Sequence, residues 1–467
     1  MTQTTAITAR ARAADWPWFT ALLCAVLVTT AWPVSARTLS LDEARGLALA
    51  SDEQLAQARQ GIIGAEADVM SAGADRLPKL NLAGTYTRNL KKPVMFLPAD
   101  MAAGFGGATS LEMGGDWDLQ AAATLSLNLW TAGRLSSARG MAAEALAGSR
   151  WQEALVADAV VFSTEQAYYD ALLAAQQVDI AERALVLAEE SLRVTRAAVD
   201  QGTSSRFDLL RAQVELANRE APAVQAGNRY RLAVLQLRRV CGLDHDEDLE
   251  LTDALADVPA PRELDDLLAD MAASSPELKA LDHQAKAAAM AVSLAKAGRG
   301  PVVQLKGQYA LQGQWDDDLF PGDNETARSA TAALAVSVPV FDGYAAKADI
   351  RGSRADLRAA QLELERVTRN RELGVRQART NLENARLSME GRHEAVTLAE
   401  EAYRLAQVRL DNGLATPLER LDAETALTDA RVQLAEALYN CNLAAANLKL
   451  SVGGDHAPAD HSEENQR

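Results

Sequence analysis

The chain contains few of the residues that build thick globular cores. Aromatic residues account for 5% of its 467 residues, and it has three cysteines and five histidines. Because Ala, Leu, Glu, Gln and Arg are abundant instead, the composition favours long helices over one large core. The length is sufficient for two or three domains.

The sequence also lacks the patterns of catalytic and metal-binding sites. Its histidines are scattered and form no HExxH motif. The segment His245-Asp246-Glu247-Asp248 could bind a cation, but a solvated loop is favoured. The glycine cluster at 104–107 is not followed by Lys-Ser or Lys-Thr, so it does not fit a phosphate-binding loop. We therefore expect no catalytic residue, no metal, no cofactor and no enzymatic activity.

The net charge of the chain argues against one class of binding partner. A net charge of −17 argues against nucleic-acid binding, because phosphate contacts require Lys and Arg. Beyond residue 36 the sequence has no run of about 18 apolar residues, so no membrane-spanning helix is expected.

Residues 1–36 are predicted to be a cleaved signal peptide. Arg10 and Arg12 precede an apolar run, and Val34-Ser35-Ala36 supplies small residues at the cleavage positions. Cys24 lies in the apolar run, but the residue before it, Leu23, is not small, which disfavours lipid attachment.

A long helical stretch at 134–242 is interrupted once, at Gln201-Gly202-Thr203-Ser204-Ser205. Before this break, two columns of apolar residues repeat every seven positions and lie about 200° apart around the helix. An ordinary two-stranded coiled coil has one seam, so two seams predict a neighbouring helix on each side. Such helices form a wall, and a closed wall is a tube. The columns are Ala171, Val178, Leu185, Leu192, Val199 and Leu173, Ile180, Leu187, Val194.

The remaining chain is predicted to be two copies of one unit. Identical residues recur in the same order at fixed offsets, which indicates duplication. Examples are the pairs Pro78/Pro301, Tyr86/Tyr309, Gly202/Gly413 and Gly242/Gly453. The predicted division is repeat 1 at 37–242, an acidic connector at 243–263, repeat 2 at 264–453 and a disordered tail at 454–467. Whether Cys241 and Cys441 pair is left open.

Each unit is predicted to contain a helix, two strands and a long helical hairpin. The first helices span about 40–72 and 264–297, and Pro78 and Pro301 end these segments. The second hairpin spans about 345–411 and 415–452, and Pro222 should bend the returning arm of the first.

Alternating apolar and polar residues predict the strands, at Leu80–Tyr86, Leu125–Leu129, Val303–Leu311 and Leu334–Val340, with loops at about 88–118 and 313–328. The alternation fits either a soluble hairpin on a helical domain or strands of a membrane barrel with an apolar side toward lipid.

In these features the sequence resembles an outer-membrane efflux protein of the TolC family. The matching features include the signal, the duplication and the two turns. The resemblance covers about 38–453, nearly all of the chain after the signal. It also rests on Leu77-Pro78-Lys79-Leu80-Asn81-Leu82, Val338-Pro339-Val340-Phe341-Asp342-Gly343, Gln201–Asp208 and Asn412–Ala423.

The resemblance implies a mainly α-helical fold with a membrane β-barrel. Three copies would form a homotrimer in the lipid of the outer membrane, each giving four strands to a 12-stranded barrel. The long hairpins would form an α-barrel tunnel through the periplasm. The expected function is a passive exit duct for a tripartite efflux pump or type I secretion system, whose partners are a periplasmic adaptor (membrane fusion) protein and an inner-membrane pump.

The same resemblance places the functional residues at the two turns, where the adaptor would dock. Those residues are Gly202, Thr203, Ser204, Ser205, Gly413, Leu414, Ala415 and Thr416. The alternative is that these residues only cap helices.

Asp208, Glu419 and Asp422 would line the pore aperture by the same resemblance, although a solvated charge pair remains open for Glu419 and Asp422. The polar lock of the family lacks its usual partners here, because Leu410 and Ala415 replace a Tyr and an Arg. We hypothesise that Arg206 or Arg409 takes the place of these residues as the partner of Asp208.

A soluble periplasmic coiled-coil adaptor or scaffold is the alternative function. An adaptor would have one helical hairpin between split β segments, whereas this chain is predicted to have two hairpins, each preceded by a strand pair.

Overall fold

A computed structural model describes residues 37–98, 104, 109–244, 246, 248–316, 319–322 and 325–454. The predicted signal peptide with Cys24 and all but the first residue of the predicted tail lie outside the described residues, as do His245 and Glu247. Among the helices that are described, none is both long and apolar enough to cross a membrane.

Two long helical hairpins dominate the fold. Helix α3 (Arg134–Asp200) and helix α4 (Arg206–Cys241) form the first, and helix α7 (Ala345–Asp411) and helix α8 (Pro417–Val452) form the second. The first arm has 67 residues in both hairpins and the returning arm has 36. The break predicted at 201–205 is therefore where α3 ends and α4 begins. Helix α4 continues through Pro222.

The shorter helices depart from the prediction, because each is two helices. Helix α1 (Leu41–Ser51) and helix α2 (Glu53–Ala74) replace the predicted helix at 40–72. Helix α5 (Leu264–Ser274) and helix α6 (Pro276–Ala297) replace the one at 264–297. The first break occurs because the Asp52 side chain accepts a hydrogen bond from Leu55 N and starts a new helix there. The second occurs because Pro276 has no N–H to continue the preceding helix.

Four antiparallel strands form one sheet in the order β2 (Lys79–Arg88), β5 (Trp117–Trp130), β7 (Val302–Trp315) and β8 (Thr326–Ser337). A small hairpin of β3 (Val94–Phe96) and β4 (Ser110–Glu112) lies in the first predicted loop. The strands of the main sheet are longer than predicted at the end far from the helices, so both loops are shorter. At the helical end β8 stops at Ser337, two residues before Pro339, whereas the prediction continued it to Val340.

The register places apolar and polar side chains on opposite faces of the sheet. Leu82 pairs with Ala123, which pairs with Tyr309, and Tyr309 pairs with Ala330. The residues next to these in each strand lie on the other face. There Ala83 pairs with Ala122, and Gln308 pairs with Thr124 and Thr331. Because side chains alternate along a strand, one face is apolar and the other carries amide and hydroxyl groups.

A side layer packs against the middle of the long helices. Strand β1 (Arg37–Leu39) pairs in parallel with β6 (Leu249–Leu251), which lies inside the segment predicted to be only an acidic connector. The buried Tyr168 hydroxyl of α3 donates to the Leu39 carbonyl at 2.9 Å and lies 2.8 Å from Asp253 Oδ2. The main core lies at this level and includes Leu39, Tyr168, Leu237, Met271 and Val375.

Both described cysteines are free thiols buried in this core. Cys241 Sγ lies 3.8 Å from the Ala44 carbonyl oxygen, and burial raises the pKa of its thiol to about 11. Burial also raises the pKa of Cys441. Both thiols are therefore protonated near neutral pH and shielded from reagents.

Candidate functional site

The first turn, at 201–205, is fixed by backbone and side-chain caps. Gly202 has φ +73°, which allows its N–H to reach the Val199 carbonyl at 3.0 Å. Thr203 N then donates to the Ala198 carbonyl at 2.9 Å. Ser205 begins α4 as its N-cap, and its hydroxyl accepts from Asp208 N at 3.2 Å. The Asp208 carboxylate accepts in return from Ser205 N at 3.0 Å, which completes a capping box.

The second turn has the same geometry. Gly413 has φ +72°, and its N–H donates to the Leu410 carbonyl at 2.9 Å. Leu414 N donates to the Arg409 carbonyl at 2.8 Å. Thr416 is the N-cap of α8 and accepts from Glu419 N at 3.3 Å, and Pro417 occupies the first helical position.

Most predicted docking residues therefore also act as caps. The hydroxyls of Thr203, Ser204 and Ser205 all bond within the first turn, to the Ala198 carbonyl or to the Asp208 carboxylate. The exposed apolar surface of the turns comes from Leu414 and Phe207, each with 70% of its surface accessible. Sequence reasoning did not single out Phe207, although it directly follows Arg206 at the start of α4.

The predicted aperture acids have different surroundings. Hydrogen bonds from Ser205, and then from Ser204, hold the pKa of Asp208 below its usual value. Asp422 Oδ1 lies 3.8 Å from an Arg211 guanidinium nitrogen, and Glu419 Oε2 lies 3.8 Å from Arg409. Within one protomer Arg409 thus lies beside Glu419 rather than Asp208.

A polar network between the hairpins, about one to four helical turns behind the tips, was not predicted from the sequence. Arg420 of α8 donates to the Ser191 hydroxyl of α3 at 2.8 Å, and Arg219 of α4 donates to the Thr425 hydroxyl of α8 at 2.9 Å. Each arginine also has an acidic neighbour four residues away on its own helix, Glu424 or Glu215. This spacing was visible in the sequence, but the contacts that cross between hairpins were not.

Glu424 is the residue of this network whose carboxylate is least well satisfied by hydrogen bonds. One of its carboxylate oxygens is buried without a hydrogen bond, because the nearest guanidinium nitrogen of Arg420 is 3.5 Å away. Burial raises the pKa of Glu424, and the nearby Arg420 and Arg219 only partly offset this. The charged form therefore costs stability above the raised pKa, and that cost is relieved as pH falls toward the ordinary glutamate value.

Within the described part of the chain, no cluster of His, Cys, Asp or Glu has the geometry of a metal site. His283 Nδ1 lies 2.8 Å from Glu144, and His393 lies 3.3 Å from Asp257. Both contacts join neighbouring elements of the fold.

Comparisons with known proteins agree with this architecture. The profile of the outer membrane efflux protein family matches residues 44–243 and 267–454. CyaE of Bordetella pertussis is 27% identical over 241 residues, which is 50% of this chain and 49% of that protein, so the match spans about half of CyaE. The pyoverdine export outer membrane protein OpmQ of Pseudomonas putida is 24% identical over 331 residues, 70% of this chain and 67% of that protein.

Solved structures share the fold over nearly the whole described chain. A membrane protein from Pseudomonas aeruginosa superposes with a TM-score of 0.73 at 22% identity, covering 88% of this chain and 93% of that one. The outer membrane protein VceC of Vibrio cholerae superposes with a TM-score of 0.72 at 20% identity, covering 89% of this chain and 96% of that one. The fold is thus that of outer-membrane channels, with a helical barrel joined to a β-barrel.

The network behind the tips yields a first prediction. Arg420→Gln removes the hydrogen bond to Ser191 and leaves Glu424 buried without its ion-pair partner, which should cost roughly 3 kcal/mol. We expect looser tips and therefore a higher single-channel conductance in a planar bilayer. Arg193→Gln is the control, because its pair with Glu190 lies within one helix and is more than half exposed, worth at most about 1 kcal/mol. Equal conductances for the two variants would contradict a closing role for Arg420.

Proposed function

The chain belongs to the outer membrane efflux protein family, and on that premise we propose that three copies form a passive exit duct for a tripartite efflux pump or a type I secretion system. The duct would cross the outer membrane through its strands and extend into the periplasm through its hairpins. An adaptor and an inner-membrane pump would supply energy and choose the cargo. The family is one of transport ducts, and the proposed mechanism assigns no catalytic residue.

The open edges of the sheet are the observation that carries this proposal. Strands β2 and β8 are the two ends of the strand order, and each has one edge without a partner among the described strands of the protomer. Four strands are too few to close a barrel, which needs about eight. In lipid an unpaired edge leaves backbone groups unsatisfied. Pairing β8 of one copy with β2 of the next removes every edge, and three copies give twelve strands.

The long helices support the same assembly. Val194 of the second predicted column is 54% exposed in a single protomer, and Leu398 and Leu405 of α7 are also more than half exposed. Apolar residues at seven-residue spacing are normally covered by a neighbouring helix. The neighbouring copies would cover them.

We also propose that the chain is divided into two equivalent repeats, at 37–242 and 264–453. Corresponding helices have 11, 22, 67 and 36 residues in both halves. Two equivalent units per chain would give six similar units around the tube, which suits a closed wall.

Fractionation of cells tests the duct directly. We expect the full-length protein in outer-membrane fractions as a trimer that dissociates only on heating, because its strands pair between copies. A soluble monomer in the periplasmic fraction would overturn the duct and favour the alternative of a coiled-coil adaptor or scaffold.

Glu419 and Asp422 are proposed to line the aperture at the tips. They lie three residues apart near the start of α8 and have half to two-thirds of their side-chain surface exposed. In a trimer they would place six carboxylates around one opening, which favours cations. Asp208 would lie nearby, but its carboxylate is occupied by Ser204 and Ser205.

Ion selectivity tests the aperture. The double variant Glu419→Gln and Asp422→Asn should lower the cation-to-anion permeability ratio several-fold, measured from reversal potentials in a salt gradient. Asp429→Asn removes an exposed carboxylate seven residues after Asp422, farther from the proposed aperture, and should change the ratio little. If both variants keep the wild-type ratio, the aperture lies elsewhere.

Adaptor docking is proposed at the two turns, at Gly202, Thr203, Ser204, Ser205, Gly413, Leu414, Ala415 and Thr416. The caps hold these turns rigid, and Leu414 and the neighbouring Phe207 expose apolar surface at their ends. A rigid turn with an exposed apolar side chain loses little conformational entropy when a partner packs against it.

Site-specific crosslinking tests docking, because both described native cysteines are buried. Leu414→Cys with a short thiol crosslinker should give an adduct with the adaptor when both proteins are present. Leu90→Cys, at an exposed position near the far end of the sheet, should give none. A tip variant that forms no adduct, while the pump complex assembles normally, would exclude docking at Leu414.

The names of the relatives refer to several cargoes, including pyoverdine for OpmQ and toluene for the efflux pump protein TtgC of Pseudomonas putida. A passive duct with such varied relatives is consistent with cargo selection by the inner-membrane pump.

A further inference from the structure

Helix α7 carries four different surfaces along its first half. One surface packs within the protomer and includes Ile350, Leu357, Leu364 and Val367. The opposite surface is small and apolar, with Ala348, Gly352, Ala355, Ala359 and Leu362, and suits a neighbouring copy. The two remaining surfaces are charged and of opposite sign. A basic stripe consists of Lys347, Arg351, Arg354 and Arg358, and an acidic column consists of Asp349, Asp356 and Glu363.

Backbone chirality determines which surface faces outward. In a strand of L-residues that runs upward with a side chain toward the viewer, the N–H and C=O of that residue point to the right. Gln314 N donates to the Glu325 carbonyl, so the polar-face residues of β7 bond to β8. Seen from the polar face, β8 is therefore to the right of β7, and α7 is to the right of α6.

The same view fixes the direction of each residue on α7. This helix is right-handed and runs away from the sheet, so each residue is turned about 100° from the one before it. Residues one position after those packed toward α6 point away from the viewer, to the side of the apolar face of the sheet. The basic stripe follows Ala346, Ile350, Ser353 and Leu357 by one position. It faces outward, and the acidic column faces the lumen.

Aromatic residues mark where the sheet leaves the membrane. Tyr86 and Trp117 stack at the far end with ring centroids 5.1 Å apart. At the helical end lie Trp130, Phe341 and Tyr344, and the last two are 77% and 68% exposed. Aromatic side chains of this kind occupy the two lipid–water interfaces of membrane barrels.

The basic stripe begins at the helical interface. Lys347 Nζ lies 5.8 Å from the centre of the Tyr344 ring. With a rise of 1.5 Å per residue, Lys347, Arg351 and Arg354 start about 5, 11 and 15 Å beyond Tyr344. Long basic side chains extend toward the interface, so the first two reach the headgroup layer and Arg354 lies within about one screening length of it.

The surroundings of the first residues of the stripe leave their charge available. Within the part of the chain that the structure describes, Arg351 and Arg354 have no ion-pair partner. The carboxylate of Asp342, just before α7, is engaged, because it accepts hydrogen bonds from Tyr344 N and Ala346 N. Arg358, the last residue of the stripe, pairs with Glu365 at 3.4 Å.

We propose that Lys347, Arg351 and Arg354 bind the headgroups of anionic phospholipids in the inner leaflet of the outer membrane. The proposal rests on the duct described above, and it depends on charge complementarity at the depth that the aromatic residues define. Guanidinium and ammonium groups suit phosphate oxygens, and the exposed Phe341 and Tyr344 suit the upper acyl chains. The stripe would fix the depth of the trimer and favour phosphatidylglycerol over zwitterionic lipid around it.

The test compares lipid retention by full-length trimers in nanodiscs of phosphatidylethanolamine and phosphatidylglycerol mixed three to one. After brief delipidation, the ratio of the two lipids that stay bound is measured by mass spectrometry. The variant is Lys347→Gln/Arg351→Gln/Arg354→Gln. Electrostatic attraction to an anionic leaflet contributes about five-fold per cation near the surface, so a fall in phosphatidylglycerol preference of about ten-fold or more is expected.

Arg369→Gln is the matched control, because Arg369 is exposed and without an ion-pair partner among the described residues, about 38 Å beyond Tyr344. It should keep the wild-type preference, and high salt should abolish the preference of the wild type. An equal loss in the control would show a general charge effect and overturn the proposal.

Further outcomes separate the alternatives. Displacement of phosphatidylglycerol by inorganic phosphate at low concentration would indicate a general anion site rather than a lipid site. Equal destabilisation of the triple variant with and without phosphatidylglycerol would show that the stripe contacts a neighbouring copy instead, and would overturn the proposal. Channel formation in phosphatidylethanolamine bilayers reports on the duct itself. Wild-type channels without lipid preference would overturn this inference alone, whereas a wild type without channels would overturn the duct.

Discussion

The backbone hydrogen bonds at the two edges of the sheet constrain everything else in the structure. Strands β2 and β8 cannot reach each other in one protomer, and lipid offers no partner for their free N–H and C=O groups. In the proposed trimer, closure between copies sets the number of chains and also determines the helical wall. Each strand continues into or follows a helix of the wall, so the order of the strands determines which helices become neighbours. The apolar residues that stay exposed on α3 and α7, Val194, Leu398 and Leu405, would be covered by helices of the neighbouring copies in the same assembly.

At the other end of the wall, the polar groups of the turns form hydrogen bonds that cap the helices. Glycine ends one helix, a hydroxyl begins the next, and the Asp208 carboxylate completes a box with Ser205. The turns are consequently rigid and offer shape and exposed apolar side chains to a partner. In the proposed duct, opening would depend on contacts behind the turns, between Arg420, Ser191 and Glu424. Because a buried ion pair is costly to desolvate, the pair of Arg420 and Glu424 would add little net stability to this arrangement, and a docking partner could break it.

The sequence predicted best what depends on local periodicity. Seven-residue spacing and the glycines at 202 and 413 located the long hairpins closely, because a helix must end where a residue takes a positive φ. It predicted helix ends less well where a single residue interrupts a helix although the apolar pattern continues past it. Asp52 and Pro276 are the two examples. The β1–β6 pair was missed because a parallel pairing over three residues between distant segments leaves no periodic signal. The partners of Arg219 and Arg420 were missed for the same reason, since they depend on how two hairpins cross.

The distribution of charge shows why composition alone is a poor guide to a tubular protein. In a tube each helix uses two faces for its neighbours, and the other two meet different surroundings. On the first half of α7 one of these includes the acids Asp349, Asp356 and Glu363 and the other begins with four cations, although the whole chain has a net charge of −17. The lumen can therefore be acidic while the outer surface at the membrane is basic. Residues two positions apart in sequence, such as Asp349 and Arg351, can lie on opposite sides of the wall. Only the handedness of the strands and helices distinguishes those sides, so the functional meaning of each charge depends on the chirality of the fold.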